Sequence, residues 1–297
     1  VTYWSFKYAV PFVKKKALLP PLGLLTVAAL LPDSVDVRLI DMNTDALTDS
    51  DILEADLVFL SAMIVQKDSF AEVVRRCNCL GRKVVAGGPY PTSMHESITG
   101  VDYFVLGEGE STVPAFMADY LSGKAERVYW GEKDTDITRA PIPRFDLVDV
   151  RNYTTISLQY SRGCPFDCEF CDIVNLFGHR ARTKTPEQFI AELQAAYDTG
   201  FRGPLFIVDD NFIGNKRNVK ELLRAIIPWQ REHRYPFNFL TEASVNLADD
   251  DELLDLMVES NFTMAFLGIE TPVEASLNEM GKKQNLKTNL LESVRKI

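Results

Sequence analysis

Three cysteines lie within one eight-residue stretch and are the clearest candidates for chemistry in this sequence. They have the spacing C-x3-C-x2-C, in Cys164-Pro165-Phe166-Asp167-Cys168-Glu169-Phe170-Cys171. A loop this short can wrap three thiolates around one metal cluster, because Gly163 and Pro165 favour the tight turns that it needs. Three ligands for a four-iron cube leave one iron free, and an open coordination position is typical of a catalytic metal site.

A single zinc ion is the alternative for the same cysteines. Cys164, Cys168, Cys171 and His179 would together make a Cys3His site. Zinc-knuckle ligands usually come as two separated pairs, so the spacing favours the cluster.

The composition indicates a globular protein with two domains. The chain has 297 residues, of which 46% are apolar and 25% are charged. Its net charge of −10 leaves no basic field for a nucleic-acid backbone, so binding of DNA or RNA is disfavoured. The longest apolar stretch, residues 17–31, contains two prolines and is too short to span a bilayer, and a signal peptide is not expected.

The five cysteines also bear on the compartment. An odd number, with three of them clustered, fits a reducing environment better than a disulfide framework. We therefore expect a cytoplasmic protein. Cys77 and Cys79 lie two residues apart on a predicted helix, point to different faces, and are expected to be ordinary buried or half-buried thiols.

Residues 1–123 alternate strand and helix patterns, which predicts a doubly wound parallel α/β domain. Helices are predicted over residues 21–31 and 68–80 and up to Leu121. Strands are predicted at residues 35–40, 57–61, 83–86 and 103–106. A doubly wound domain normally has five or more strands, so we expect that one strand preceded Val1. Residues 124–155 are weakly periodic and are predicted to form a linker with a short strand at Val128–Trp130.

Residues 156–297 repeat the alternation with a longer period and predict a partial (β/α) barrel of four βα units. Its strands are predicted at residues 156–160, 205–208, 237–241 and 264–269. Helix starts are predicted at Thr185, which has a capping-box partner in Gln188, and more weakly at Asn218 and Asp249. Four strands cannot close a barrel. We therefore expect a chain that is truncated at both ends and is not a competent enzyme by itself.

Polar side chains follow these barrel strands, at the end where parallel sheets and barrels bind ligands. Asp209, Asp210 and Asn211 follow the second strand, and their oxygens could accept N–H groups of a ligand or face a positive charge. The third and fourth strands are followed by Glu242, Ser244 and Glu270. Asp and Asn are also common in turns, and strand ends are often solvated, so a structural role stays open for each.

Two glycines suggest a second ligand site in the first domain. Gly87 and Gly88 end a strand and let a backbone approach a ligand closely, although any strand-to-loop turn can use such a pair. Ser61 and Met63 follow the neighbouring strand, so a shared crevice is predicted. His95, the only histidine of this domain, is expected to be a surface residue rather than a ligand.

Together these motifs resemble those of the radical S-adenosylmethionine superfamily, in the class that carries a cobalamin-binding domain before the barrel. Within that class they are most similar to the hopanoid C-2 methylase type, over nearly the whole chain. Besides the cysteine motif, the resemblance is carried by Pro20-Pro21-Leu22-Gly23, Ser61-Ala62-Met63, Gly87-Gly88-Pro89, Gly107-Glu108-Gly109-Glu110, Arg162-Gly163-Cys164-Pro165-Phe166, Asp209-Asp210-Asn211-Phe212-Ile213-Gly214-Asn215, Thr241-Glu242-Ala243-Ser244 and Leu267-Gly268-Ile269-Glu270-Thr271.

The resemblance implies that Cys164, Cys168 and Cys171 hold a [4Fe-4S] cluster whose free iron chelates S-adenosylmethionine. One electron would then break the carbon–sulfur bond and give a 5′-deoxyadenosyl radical. Cobalamin would carry a methyl group from a second S-adenosylmethionine to an unactivated carbon of a lipid or other small molecule. A flavodoxin or ferredoxin is expected to donate the electron.

The resemblance also implies roles for single residues, with Phe170 packing against the adenine. S-adenosylmethionine would be bound by Asp209, Asp210, Asn211, Glu242, Ser244 and Glu270. Cobalamin would be bound by Ser61, Met63, Gly87 and Gly88. The family's Gly-Gly-Glu-like motif is replaced here by Asp-Asp-Asn. The cobalamin-ligating Asp-x-His-x-x-Gly motif is absent from the sequence, so cobalamin is expected to lack a protein histidine below the cobalt.

Two other functions stay open at this point. The same scaffold could carry out another cobalamin-associated radical reaction, such as a rearrangement or a cyclisation. Outside enzymes, the alternative is a zinc-stabilised binding protein without turnover.

Overall fold

The computed structural model describes residues 9–131, 134–286 and 289–297, which form two compact units. The first unit comprises the residues up to 135 together with 139–154. The second comprises residues 136–138 and 155–297. No helix within the described ranges is both long enough and apolar enough to cross a membrane.

The first unit contains a four-stranded parallel sheet. Its strands are β1 (Leu57–Ser61), β2 (Lys83–Gly87), β3 (Tyr103–Leu106) and β4 (Val128–Trp130), and they are adjacent in that order. Its helices are α1 (Leu22–Leu30), α2 (Asp49–Glu54), α3 (Lys67–Cys79), α4 (Pro89–Met94) and α5 (Gly109–Leu121). The sheet has both faces covered, as parallel sheets require.

Alternate residues of β2 show how the two faces are filled. Val84 faces the cluster that contains Phe70 of α3. Val85 faces the opposite cluster, which contains Phe116 of α5 and the partly buried Val27 of α1. Helices therefore pack on both sides of the sheet, in agreement with the doubly wound arrangement that the sequence predicts.

The strand predicted at residues 35–40 is wrong. Within the described residues this segment pairs with no strand, although Val35 packs against the core of the first unit. A segment with alternating burial forms a strand only when a partner backbone lies alongside it. Arg38 of this segment forms an ion pair with Asp51 (2.6 Å). The fourth strand is β4, which the sequence places in the linker. The strand expected before Val1 lies outside the described residues.

The second unit is built on a second parallel sheet. Its strands are β5 (Ile156–Leu158), β6 (Ser161–Arg162), β7 (Arg182–Thr183), β8 (Gly203–Ile207), β9 (Phe237–Ala243) and β10 (Phe262–Leu267). The main sheet has the order β10-β9-β8-β5, with all pairs parallel. The short strands β6 and β7 pair antiparallel on either side of the cysteine loop. Four βα units are therefore present, as predicted.

The helices described in this unit are α6 (Ile173–Phe177), α7 (Pro186–Asp198), α8 (Lys216–Glu232), α9 (Asp251–Glu259), α10 (Glu274–Glu279) and α11 (Leu290–Lys296). Four of these six, α7, α8, α9 and α11, begin at a residue whose side chain caps the helix. The Thr185 hydroxyl accepts the Gln188 N–H (3.2 Å), as predicted. The predicted caps Asn218 and Asp249 are wrong: α8 is capped by Asn215 and α9 by Asp250, because each acidic or amide side chain there reaches the N–H three residues on.

Strand β9 separates the two faces of the second sheet. Phe237 and Phe239 are buried, and Trp229 of α8 stacks on Phe237 with ring centroids 5.8 Å apart. Leu240 and Glu242 lie on the opposite, partly exposed face. The side chains of this inner face at the carboxyl end of the strands are the ones that can meet a ligand.

Candidate cofactor site

The cysteine loop is fixed by backbone contacts at several points. Gly163 has a φ of +89°, and a Cβ there would lie 2.4 Å from the Arg180 carbonyl oxygen, so only glycine fits. The Cys164 N–H donates to the Gly178 carbonyl (3.3 Å), and the Glu169 N–H donates to the Met280 carbonyl (3.0 Å). The loop therefore leaves β6 along a defined path.

The three thiols of this loop lie close to one another. All three cysteines are partly buried and free. Burial raises the pKa of Cys164, and the sulfurs of Cys171 and Cys168 raise it further. Burial also raises the pKa of Cys171, with Asp210 and Cys168 adding to the rise and Lys282 opposing it. A bound metal would relieve this cost, because it favours the thiolate form.

A cluster and a single zinc ion make different geometric demands on these cysteines. Across the described residues, no three side chains of His, Cys, Asp or Glu are gathered tightly enough to hold one metal ion, and His179 is exposed. Zinc would need its sulfur and nitrogen ligands at about 2.0–2.3 Å. In an iron–sulfur cube each thiolate binds a different iron, so the sulfurs stay further apart.

Asp209 anchors the strand that leads into the cysteine loop. Its carboxylate accepts the N–H of Tyr160 (2.7 Å), the N–H of Ser161 (2.8 Å) and the Ser161 hydroxyl (2.6 Å). Burial raises its pKa to about 6, while these hydrogen bonds favour the charged form. The side chain has no exposed surface. Its contacts give it a positioning role, and its predicted contact with S-adenosylmethionine stays a prediction.

Asn211 and Ser244 connect the cysteine loop to two strand ends. The Asn211 amide group donates to the Cys164 sulfur (3.9 Å), while its oxygen accepts from the Ser244 N–H (3.2 Å) and hydroxyl (3.3 Å). Both residues are buried. The structure thus brings these two predicted site residues together with the first cysteine.

Asp210 and Glu242 form a pair of carboxyl groups near Cys171. Burial raises the pKa of Asp210 to about 6, with Arg162 opposing the rise. Burial likewise raises the pKa of Glu242, and the charge of Asp210 raises it further. Neither forms an ion pair with a residue in the described part of the chain. Two carboxyl groups held this way are ready to receive a positive group.

Glu270 and Phe170 both lie beside Lys282, which no sequence pattern indicates as a site residue. Lys282 is only 6% exposed, forms an ion pair with Glu270, and holds its ammonium 5.5 Å from the centre of the Phe170 ring. Phe170 itself is 60% exposed. Lys282 stands in the polar run Gly281-Lys282-Lys283-Gln284-Asn285, which has the composition of a solvated loop, so only its distant contacts reveal it.

The predicted glycines of the first unit are explained by packing. A Cβ at Gly87 would lie 2.7 Å from the Val105 carbonyl oxygen of β3. Gly88 has a φ of +84°, and a Cβ there would lie 2.3 Å from the Ser61 hydroxyl. Met63 is 59% exposed and begins an exposed apolar run that continues through Ile64 and Val65. This edge offers an apolar surface beside a hydroxyl, which fits a large macrocyclic ligand.

His95, which the sequence predicts to be a surface residue, packs against two aromatic rings. His95 packs edge-to-face between Phe104 (5.8 Å) and Trp130 (5.2 Å) and is half-buried rather than a surface residue. The Asp41 carboxylate accepts from the Tyr153 hydroxyl (2.9 Å) and from the Asn43 backbone N–H (2.9 Å). The His95 ring and the Asp41 carboxylate therefore both make contacts within the first unit.

Two family models match the chain. The B12 binding domain matches residues 10–117, and the Radical SAM superfamily matches residues 158–297. The chain belongs to the radical S-adenosylmethionine enzymes that carry a cobalamin-binding domain. These matches confirm the predicted fold class, and they confirm cobalamin, S-adenosylmethionine and a [4Fe-4S] cluster as the cofactors of the family.

Two named proteins are similar to this chain over its whole length. It is 47% identical over 298 residues to an uncharacterized methyltransferase of Synechocystis, covering 100% of this chain and 56% of that protein. It is 38% identical over 301 residues to the hopanoid C-2 methylase of Rhodopseudomonas palustris, covering 100% and 57%. The chain therefore spans little more than half the length of these relatives.

A solved structure supports the fold of both units. The radical S-adenosylmethionine methyltransferase TsrM from Kitasatospora setae, with cobalamin and a [4Fe-4S] cluster bound, matches with a TM-score of 0.76. The match covers 94% of this chain and 61% of that chain at 15% identity. At this identity the likeness shows the fold and not the reaction.

Proposed function

We propose that this chain holds the cofactors of an enzyme that methylates an unactivated carbon atom. The observation that carries the proposal is the set of three cysteines beside two carboxyl groups without ion-pair partners, at the carboxyl ends of β8 and β9. When bound, the cofactors supply one-electron cleavage of S-adenosylmethionine and a transferable methyl group.

In the second unit we assign Cys164, Cys168 and Cys171 to the cluster. Asp210 and Glu242 would bind the positive groups of S-adenosylmethionine, because both are half-buried and form no ion pair in the described part of the chain. The exposed ring of Phe170 offers a flat apolar surface for the adenine.

Further residues extend this assignment to the rest of the predicted site. Ser244 and Glu270 would orient the remainder of S-adenosylmethionine, while Asp209 and Asn211 hold the cysteine loop in place. In the first unit, Ser61, Met63, Gly87 and Gly88 would contact cobalamin, with no protein histidine below the cobalt.

A hopanoid-like lipid is the substrate class that we propose, because the hopanoid C-2 methylase matches the entire chain. We further propose a cytoplasmic location, with a reduced flavodoxin or ferredoxin as electron donor. The clustered free cysteines are compatible with such a reducing compartment.

The test uses the full-length protein, purified without oxygen and supplied with S-adenosylmethionine that carries a deuterated methyl group. Mass spectrometry of the lipid product should show one labelled methyl group, and the Cys168→Ala variant should yield none. A product without added label would favour rearrangement or cyclisation. A colourless protein that contains zinc and converts nothing would contradict the proposal.

A further inference from the structure

The residues after α10 contact both the cysteine loop and the segment that follows β10. Gly281 has a φ of +72°, and a Cβ there would lie 2.7 Å from the Asp167 carbonyl oxygen, so this segment lies directly against the loop. Asn285, which is 2% exposed, donates to the carbonyls of Gly268 (2.9 Å) and Ile269 (3.0 Å). Residues 282–284, between Gly281 and Asn285, are thereby fixed at both ends.

Gln284 lies in this held segment and contacts the second cysteine. Its Nε2 lies 3.5 Å from the Cys168 sulfur. A thiolate can only accept, so the amide N–H is the group that must face it. The Oε1 of the same amide is buried and has no hydrogen-bond partner among the described residues. A buried amide oxygen without a hydrogen-bond partner costs free energy, so the orientation of this amide needs a compensating interaction, such as one between its N–H and a bound cluster.

A second amide occupies the equivalent place at the first cysteine. Asn211, which is 4% exposed, directs its Nδ2 at the Cys164 sulfur (3.9 Å), and its oxygen is held by Ser244. The third cysteine, Cys171, has no amide of this kind within the described residues but lies within the field of the Lys282 ammonium. Each of the three sulfurs thus has its own positive or N–H-bearing neighbour.

We propose that Gln284 is a positioning residue that raises the reduction potential of the iron–sulfur cluster by donating an N–H to the Cys168 sulfur, with Asn211 doing the same at Cys164. This inference rests on the proposed cluster at the three cysteines. An N–H donor stabilises a sulfur ligand more as the cluster gains an electron, because the added negative charge resides partly on sulfur. Removing the donor should therefore make the cluster harder to reduce.

The test is an EPR-monitored redox titration of the anaerobically purified protein, compared with its Gln284→Leu and Gln284→Glu variants. At the potential where half of the parent is reduced, the ratio of reduced to oxidised cluster should fall roughly threefold to tenfold in Gln284→Leu. Gln284→Glu keeps the side-chain length but loses the N–H and adds a negative charge, so its fall should be at least as large. Iron content should stay close to that of the parent.

The matched control is Asn278→Leu, which removes an exposed amide that bonds only to the Glu274 carbonyl of its own helix. It should leave the potential unchanged. Gln284 variants that carry the cluster at the parent's potential would overturn the inference while leaving the cluster assignment intact. Loss of iron from both variants at an unchanged unfolding midpoint would also overturn it, since it indicates binding rather than tuning. A parent that binds no iron would overturn the proposed function, and this inference with it.

Discussion

The carboxyl ends of the two parallel sheets are built in different ways. At the end of the first sheet, Gly87 and Gly88 are explained by close packing against Val105 and Ser61, and His95 is held between two aromatic rings. At the end of the second sheet, polar side chains connect to one another and to the cysteines.

This difference matches the ligands that we propose for the two sites. A cluster needs thiolates at fixed positions, so the surrounding polar groups must be fixed too. A large macrocycle can be held by shape and apolar surface, which is the role that we propose for Met63 and the exposed residues after it. Variants in the second unit should therefore abolish a cofactor, whereas variants in the first should act through fit.

The largest effect is expected from the three clustered cysteines. Changing Cys164, Cys168 or Cys171 to Ala should remove most of the bound iron and its absorbance at about 400 nm, because each thiolate is one of the three protein ligands that we propose. Iron analysis and absorbance spectra of the anaerobic protein measure this. Cys79→Ala, at an exposed thiol on α3, should leave both unchanged. Equal losses from this control would contradict the assignment.

A smaller but still large effect is expected at Asp209. Asp209→Ala would leave the buried N–H groups of Tyr160 and Ser161 without an acceptor, which should cost about 3 kcal/mol of unfolding free energy. Urea denaturation measures the change. Asp255→Ala, at an exposed site on α9, should stay within about 0.5 kcal/mol of the parent. Equal stability of the two variants would show that the buried network is unimportant.

The first unit should respond more weakly, and in a way that distinguishes its two glycines. Gly87→Ala and Gly88→Ala should each cost about 1–3 kcal/mol of unfolding free energy and weaken cobalamin binding. Ser61→Ala should partly rescue Gly88→Ala, because the obstacle there is a side-chain hydroxyl. It should not rescue Gly87→Ala, whose obstacle is the Val105 backbone.

The control for these glycines is Gly23 of α1, where an added Cβ meets nothing within 4 Å. Gly23→Ala should be as stable as the parent or more stable by up to about 1 kcal/mol, as alanine favours a helix. If all three glycine variants behaved alike, the packing explanation of Gly87 and Gly88 would fail.

The smallest effect is expected at His95. His95→Phe keeps a ring between Phe104 and Trp130, so cobalamin affinity should change by less than about twofold. The EPR spectrum of the Co(II) form should show no nitrogen splitting from an axial imidazole, in parent and variant alike. Nitrogen splitting that disappears in the variant would instead make His95 a cobalt ligand.

Local sequence patterns predicted most of the fold and pointed to the cysteine loop as a candidate metal site. The cysteine spacing and the Thr185 cap are local patterns, so they can be recognised without knowing the fold. The strand at residues 35–40 was wrong because a ladder depends on a partner elsewhere in the chain. The contact from Gln284 to Cys168 spans 116 residues, and no local pattern of a polar loop indicates it.

Asp209 shows the same dependence on residues that are distant in the chain. The sequence predicted a functional residue at the end of a strand, which is where Asp209 lies, but not that its oxygens are occupied by Tyr160 and Ser161. Those partners lie 48 and 49 residues away in the chain. Residue type and position along a strand thus suggested a site, whereas the hydrogen bonds that occupy the Asp209 carboxylate depend on the fold.

The central claim is that the three cysteines hold a cluster with an iron open to S-adenosylmethionine. The most direct measurement is the EPR spectrum of the reduced protein with and without S-adenosylmethionine. The claim predicts a [4Fe-4S] signal whose g values change when S-adenosylmethionine is added, with no signal from Cys164→Ala. A cluster signal that is identical with and without S-adenosylmethionine, or one that persists in Cys164→Ala, would contradict it.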